Sequence, residues 1–242
     1  MRFPVIAIDG PAGAGKSTVS RALARRLGFF LLDTGAIYRS LALHAQAHRV
    51  TLSDGPGLAE LAAKLPLRFG RGPGPEEGRV FLGEQDVSDS IRSPEISQAA
   101  SQVSVHPEVR AALLELQRHL ATTGPCVAEG RDIGTVVLPT APIKLFMTAS
   151  PEVRARRRFD ELRARAGAGS GAEVANYEET LAAIVERDRR DETRAIAPTR
   201  QAEDAIRFDT SDLPLDEVID QVEAFCRTRL GLGPAQAGAA SG

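Results

Sequence analysis

Residues 5–8, Val-Ile-Ala-Ile, form a continuous apolar run that ends at Asp9-Gly10. A run of this kind predicts a strand buried on both faces of a parallel sheet. From Lys16 onward, Val19, Ala22, Leu23 and Leu27 recur at helical spacing until Gly28 stops the pattern, and a second apolar run follows at 29–32. The order is strand, loop, helix, strand. Further apolar runs at 126–128, 143–147 and 206–208 alternate with helical patterns at 109–120, 152–165, 177–190 and 215–230. This alternation predicts an α/β fold, a parallel sheet with helices on both faces.

The pattern changes between 67 and 87. Gly70-Arg71-Gly72-Pro73-Gly74-Pro75 reads as a loop, while 67–69 and 79–82 read as short strands around Gly83-Glu84, giving a small β insertion. The stretch 164–172, rich in Gly, Ala and Ser between two arginine-bearing helices, reads as a mobile turn. Residues 231–242 carry no periodic apolar face and read as a disordered tail. No internal repeat is visible.

Composition narrows the classes of partner. With 30 Lys and Arg against 32 Asp and Glu, the net charge of -2 provides no general field for nucleic acid or a membrane surface, so any basic site must be local. Lysine occurs only at 16, 64 and 144 while arginine is plentiful, so an arginine counts only in a specific context. Cys126 and Cys226 are too far apart for a local metal motif and too few for a disulfide framework, which suits a reducing compartment. The chain enters its first strand without the leader of a signal peptide, and no later run is long enough to span a bilayer. A cytoplasmic protein, monomeric and independent of nucleic acid and membrane, is the expectation.

Gly10-Pro11-Ala12-Gly13-Ala14-Gly15-Lys16-Ser17 satisfies GxxxxGK(S/T) between an expected strand and an expected helix, the context this phosphate-binding loop requires. Its glycines let successive backbone N–H groups turn inward, and the new helix offers its positive end to phosphate. Lys16 is placed at the β- and γ-phosphates of a nucleoside triphosphate, most simply ATP, Ser17 at Mg²⁺, and Thr18 near the α-phosphate. The loop alone does not separate a kinase from a switch GTPase, a motor ATPase or a regulatory module. A guanine-reading NKxD is missing, as is an apolar strand ending in Asp-Glu.

Three further constellations bear on the acceptor: Asp33-Thr34-Gly35-Ala36-Ile37-Tyr38-Arg39, with a tight turn at Gly35 opening a helix; Glu129-Gly130-Arg131-Asp132-Ile133-Gly134-Thr135 after the 126–128 strand; and Glu186-Arg187-Asp188-Arg189-Arg190-Asp191 followed by Arg194-Ala195-Ile196-Ala197-Pro198. The second lies at the carboxyl end of the sheet, where open α/β folds bind ligands. Through IDGPAGAGKST, LLDTGAIYR, AASQVS, EGRDIGTVV and ERDRRDETRAIAP in this order, the chain resembles the bacterial cytidylate kinases over nearly its whole length.

The resemblance implies a single P-loop kinase domain over 1–230, with its core in 1–33, 105–150 and 195–230, an acceptor-binding region with the small β insertion at about 34–104, and a lid at about 151–194. It implies transfer of the γ-phosphoryl of ATP to CMP or dCMP. By the family pattern Arg110 and Arg194 donate to cytosine O2 and N3, while Asp132 and Thr34 lie on its amino side; uracil reverses that pattern at N3 and position 4. Ser101, Arg187 and Asp191 match positions near the ribose, Arg39 and Arg131 positions at the acceptor phosphate, and Tyr38 packs beside them. No general base is needed, because the acceptor oxygen is already anionic, so Lys16, Arg131 and a lid arginine carry the catalysis electrostatically.

Plainer readings stand beside these. Arg154, Arg157 and Arg158 are as readily solvated as functional, with Arg157 and Arg158 kept as the catalytic candidates. Arg131 and Asp132 can be an internal salt bridge, Asp33 and Glu129 can order Mg²⁺ waters or cap turns, and Tyr38 can be core. His44, His48, His106 and His119 do not cluster with acids or cysteines and read as surface residues. Thr34 stands where serine is frequent in the family, and the turn at 164–172 is longer than usual, which leaves the lid arginine open. Another small P-loop kinase acting on UMP, AMP or a non-nucleotide metabolite, or a nucleotide-dependent regulatory module, is the alternative.

Overall fold

The opening apolar run forms β1, Val5–Asp9, with all five residues buried. In the computed structural model, which describes residues 3–71, 78–165 and 176–233, β1 is the middle strand of a five-stranded parallel sheet. The others are β2 (Phe30–Asp33), β6 (Cys126–Glu129), β7 (Ile143–Thr148) and β8 (Ile206–Asp209), in the spatial order β2-β6-β1-β7-β8. Alternation along β1 sorts its side chains onto two faces. Val5 and Ala7 join Leu32, Cys126 and Ala128 under α2 (Thr34–Ala47), α4 (Pro94–Val103) and α5 (Pro107–Ala121). Ile6 and Ile8 join Val127, Leu145 and Met147 under α1 (Lys16–Leu27) and α8 (Leu215–Leu230). Helices therefore cover both faces.

The β insertion is a three-stranded antiparallel sheet, β3 (Leu67–Arg71), β4 (Gly78–Leu82) and β5 (Gln85–Asp86). The sequence pattern shows two of these strands; β5 is two residues long, too short to announce itself. Two helices also lie hidden in the pattern. α3 (Gly55–Ala63) opens with Gly-Pro-Gly, normally a breaker, and is rescued by Asp54, whose Oδ1 accepts from Gly57 N at 3.0 Å. α4 turns mostly small residues inward, Ala99, Ala100 and Ser101, so its apolar signal is weak although Ser93 caps it and Pro94 opens it. The expected tight turn at Gly35 is not there: α2 already starts at Thr34, because Asp33 caps it by accepting from Ala36 N at 2.9 Å.

Helices α6 (Pro151–Arg165) and α7 (Tyr177–Thr193) pack against each other over the carboxyl end of the sheet. Residues 72–75 of the expected loop, most of the glycine- and alanine-rich turn at 164–172, and 234–242 of the expected tail lie outside the described residues. Segment 34–104 is not a separate layer, since Ile37 and Leu41 of α2 share a core with Val5 and Ala7 of β1.

Everything at the mouth of the sheet hangs on how tightly the chain leaves β1. Gly10 has φ 141°, and a Cβ there would lie 1.9 Å from the carbonyl oxygen of Met147 on β7. A backbone oxygen cannot swing aside as a side chain can. Gly10→Ala is expected to destabilise the fold by roughly 3 kcal/mol or more, strain and overlap combined. Urea unfolding measures it, and a midpoint within error of the wild type would refute the close approach.

Candidate active site

A cleft of about 1350 Å³ opens at the carboxyl ends of β1, β2 and β6. Its floor is the loop from β1 to α1. α1 begins at Lys16 with no capping side chain, and Gly15 enters it in the left-handed conformation at φ 84°. The first-turn N–H groups thus lack an internal acceptor, the arrangement that makes a helix N-terminus an anion site. Ala12, Gly13, Ala14, Gly15, Lys16, Ser17 and Thr18 all line the cleft. Gly10 and Pro11, expected with them at the phosphates, are not among the lining residues. Gly10 is pressed against Met147, and the Pro11 carbonyl accepts from Lys16 Nζ at 2.7 Å, so both shape the loop from behind.

Lys16 is buried, and burial together with the nearby Arg131 charge pulls its ammonium well below the ordinary lysine range, against the opposing charges of Glu129 and Asp9. Glu129, at the end of β6, is also buried. Burial and the neighbouring Asp33 push its carboxyl up to about 7, and its Oε2 has no protein hydrogen-bond partner. Asp9 was not singled out by sequence, yet its two oxygens accept from Ile133 N and Gly134 N, each at 2.7 Å. It ties the end of β1 to a π-helical turn at Ile133–Val137, and burial raises its carboxyl to about 6 despite those donors. The signal for Asp9 was a carboxylate closing an otherwise apolar strand.

Across the cleft lies a charge network. Arg110, on α5, donates to Asp132 at 2.5 Å, and its guanidinium stands 5.5 Å from the Tyr38 ring centroid. Arg194 lies 3.6 Å from Asp132 and 3.8 Å from Asp191, and its Nε donates to the Ala197 carbonyl. Arg131 donates to Asp191 at 3.1 Å, and Arg187 lies 4.0 Å from the same carboxylate. Arg131 and Asp132 therefore do not pair with each other, because their side chains answer to α7 and α5 respectively. Burial alone would raise the Asp191 carboxyl; the charges of Arg131, Arg187 and Arg194 outweigh it and hold the group below its ordinary range. Burial and the Arg131 charge bring Arg187 down to about 10.

Thr34 donates its hydroxyl to the Glu129 carbonyl at 2.7 Å, which leaves its oxygen lone pairs to accept. Arg39 is held by Asp33 at 2.7 Å. Arg92, unremarked in the sequence, lines the cleft and its charge reaches Asp33. Ser101 Oγ, Arg39 Nε, Arg187 Nε and Arg194 NH2 are buried without a protein hydrogen-bond partner. Of these, Arg194 NH2 and Arg187 Nε lie 3.6 and 4.0 Å from the Asp132 and Asp191 carboxylates, too far for a hydrogen bond but within reach of charge pairing.

The three lid candidates separate. Arg157 spends its guanidinium on Thr210, donating to its hydroxyl at 3.0 Å and its carbonyl at 2.6 Å. Arg158 pairs with exposed Glu161 at 2.7 Å, and its charge reaches Arg187; like Arg157 it lines the cleft. Arg154 is buried outside the cleft lining, bonded to the Ala149 and Ala12 carbonyls and to Asp188. Of the histidines, His44 in the last turn of α2 and His48, which caps that helix, stack with centroids 4.3 Å apart, and His106 bonds the Leu52 carbonyl.

The chain matches the cytidylate kinase family model over residues 6–228. It is 47% identical over 229 residues to a cytidylate kinase of Geobacter sp. (strain M21), covering 95% of each chain. It is 50% identical over 224 residues to one from Pelotomaculum thermopropionicum, covering 92% of this chain and 95% of that one.

The Glu129 carboxyl gives a pH test. Its folded pKa of about 7 exceeds the ordinary 4.5, so the folded chain keeps a proton that the unfolded chain releases, and this contribution falls as pH rises through 4.5 to 7. Relative to wild type, Glu129→Gln should gain stability across that window by about 1.4 kcal/mol per unit of pKa separation. Urea midpoints at successive pH values measure it; parallel curves for the two proteins would refute the buried proton.

Proposed function

The chain belongs to the cytidylate kinase family, and from that premise we propose how its cleft phosphorylates CMP and dCMP. The observation that carries the reading is one cleft lined on one side by the phosphate loop and on the other by Arg39, Arg110, Arg131, Arg187 and Arg194 with the carboxylates of Asp132 and Asp191 between them. ATP lies with its phosphates over Gly13 to Thr18, with Lys16 at the β- and γ-phosphates. CMP or dCMP lies opposite: cytosine against Arg110, Arg194, Asp132 and Thr34, ribose near Ser101, Arg187 and Asp191, and phosphate between Arg39 and Arg131, with Tyr38 beneath Arg110.

In the reaction an anionic oxygen of the acceptor phosphate attacks the γ-phosphorus as the bond to the β,γ-bridging oxygen breaks. The bond electrons leave on ADP, and CDP or dCDP forms. No proton need be removed from the nucleophile, so this chain supplies position and positive charge. Lys16 and Arg131 bracket the transferred group. Arg158, rather than Arg157, completes the bracket, since the Arg157 guanidinium is already committed to Thr210.

Mg²⁺ fits the residues beside the loop: Ser17 offers a hydroxyl, and Glu129 and Asp33 offer carboxylates, one oxygen of Glu129 being buried without a partner. Among the described residues no cluster of three or more His, Cys, Asp or Glu could hold a metal; Mg²⁺ would take its other ligands from phosphate and water. When bound it neutralises phosphate charge. The protein is read as a cytoplasmic monomer needing neither nucleic acid nor membrane; its net charge is -2, and no described helix is long and apolar enough to cross a membrane.

With ATP and Mg²⁺, CMP and dCMP should be phosphorylated far faster than UMP, AMP, GMP or dTMP. A panel led by AMP would favour another small kinase, and ATP binding without CMP-dependent ADP release would favour a regulatory module. Lys16→Ala should abolish transfer with unchanged circular dichroism. Asp132→Asn should narrow the CMP preference over UMP by about 10- to 100-fold, leaving ATP affinity alone, through loss of one matched buried polar contact; equal losses for both nucleotides would make Asp132 purely structural. Arg158→Ala should lower kcat at least tenfold, and Arg157→Ala should mainly raise the KM for ATP; the reverse pattern would exchange their roles.

A further inference from the structure

Arg154 sits in the first turn of α6 and is only 4% exposed. Its guanidinium reaches three parts of the fold at once. Nε donates to the Ala149 carbonyl just beyond β7 at 2.9 Å, and NH1 donates to the Ala12 carbonyl of the phosphate loop at 3.1 Å. NH1 also pairs with Asp188 of α7 at 2.6 Å, both side chains being largely buried. Asp188 follows Arg187 directly and precedes Asp191 by one turn, so the same helix segment presents two side chains to the acceptor half of the cleft.

Shape reinforces the link. A Cβ on Gly13 would lie 3.1 Å from Arg154 Cβ and 3.2 Å from its carbonyl, so the loop rests directly on the start of α6. An apolar side chain could fill this position without the cost of dehydrating a guanidinium and a carboxylate. Asp188 Oδ1, moreover, is buried with no hydrogen-bond partner among the described residues, so the pair leaves bonding unmade that a purely stabilising pair would use. What the pair provides instead is a fixed separation between the loop and α7.

We propose that Arg154 is a positioning residue that locks the phosphate loop to α7, fixing the distance between the donor phosphates and the acceptor held by Arg187 and Asp191. This rests on the reading of the cleft given above. A positioning device acts on the reaction more than on either binding event, because a displacement of about 1 Å can cost on the order of 100-fold in rate while each nucleotide still finds its own half-site.

The test uses the full chain with Arg154→Lys, Asp188→Asn and the double variant, which keep the side chains long and polar so that the fold survives. Lysine keeps the charge but has no planar fork to span two carbonyls and a carboxylate. Each single variant should lower kcat about 10- to 100-fold, with KM for ATP and for CMP within about threefold and kcat normalised to folded protein by circular dichroism. The double variant should be no slower than the slower single. A merely structural role would lower the melting temperature and leave kcat per folded molecule unchanged, and that result would overturn the proposal, as would additive losses or an effect confined to one KM. Failure of the wild type to phosphorylate CMP would instead remove the cleft reading.

Discussion

Two buried carboxylates make the cleft possible. Arg110, Arg131, Arg187 and Arg194 converge on one volume, and guanidinium groups this close repel one another and lose hydration. Asp132 stands between Arg110 and Arg194, and Asp191 between Arg131, Arg187 and Arg194, so the cations are held apart in fixed directions. Four positive charges against two negative ones leave the cluster underneutralised. An isolated buried network of that kind would be costly. Its excess of positive charge, lining an open cleft, suits that face to an anionic ligand.

That network needs its contributors delivered from distant parts of the chain. Arg110 comes from α5, Arg131 and Asp132 from the turn after β6, and Arg187 and Asp191 from α7. Asp9 pins the turn after β6 by accepting from Ile133 and Gly134, so the last residue of the central strand sets the direction in which Arg131 and Asp132 leave it. The glycine-rich loop and the arginine network thus share one anchor at the end of β1.

Much of this was legible in the sequence where the cause is local. The bounds of α1 and α8 follow from apolar spacing and from Gly28 and Gly231, which end them in left-handed caps. The GxxxxGK(S/T) loop was legible because backbone geometry alone requires those glycines. Side-chain direction was not. Nothing in the run Arg154-Ala155-Arg156-Arg157-Arg158 tells that the first arginine is buried against Ala12, while the other two candidates line the cleft, one bonded to Thr210 and one paired with Glu161; these depend on contacts 34 to 142 residues away in sequence, or on Glu161 nearby. α3 stayed hidden because its cap, Asp54, offsets a Gly-Pro-Gly start that normally breaks a helix.

The charge distribution also has a bearing on the rate at which substrates arrive. The whole chain carries a net charge of only -2, yet arginines crowd one concave, partly dehydrated face. From a distance the molecule is close to neutral and exerts little pull; within a few ångströms of the mouth, low-dielectric walls focus the field of the cationic cluster onto polyanionic ligands. Capture is thus short-ranged, set by the final approach more than by long-distance attraction, and ions of the surrounding solution, which screen over about 8 to 10 Å, blunt it less than they would a field spread over the surface.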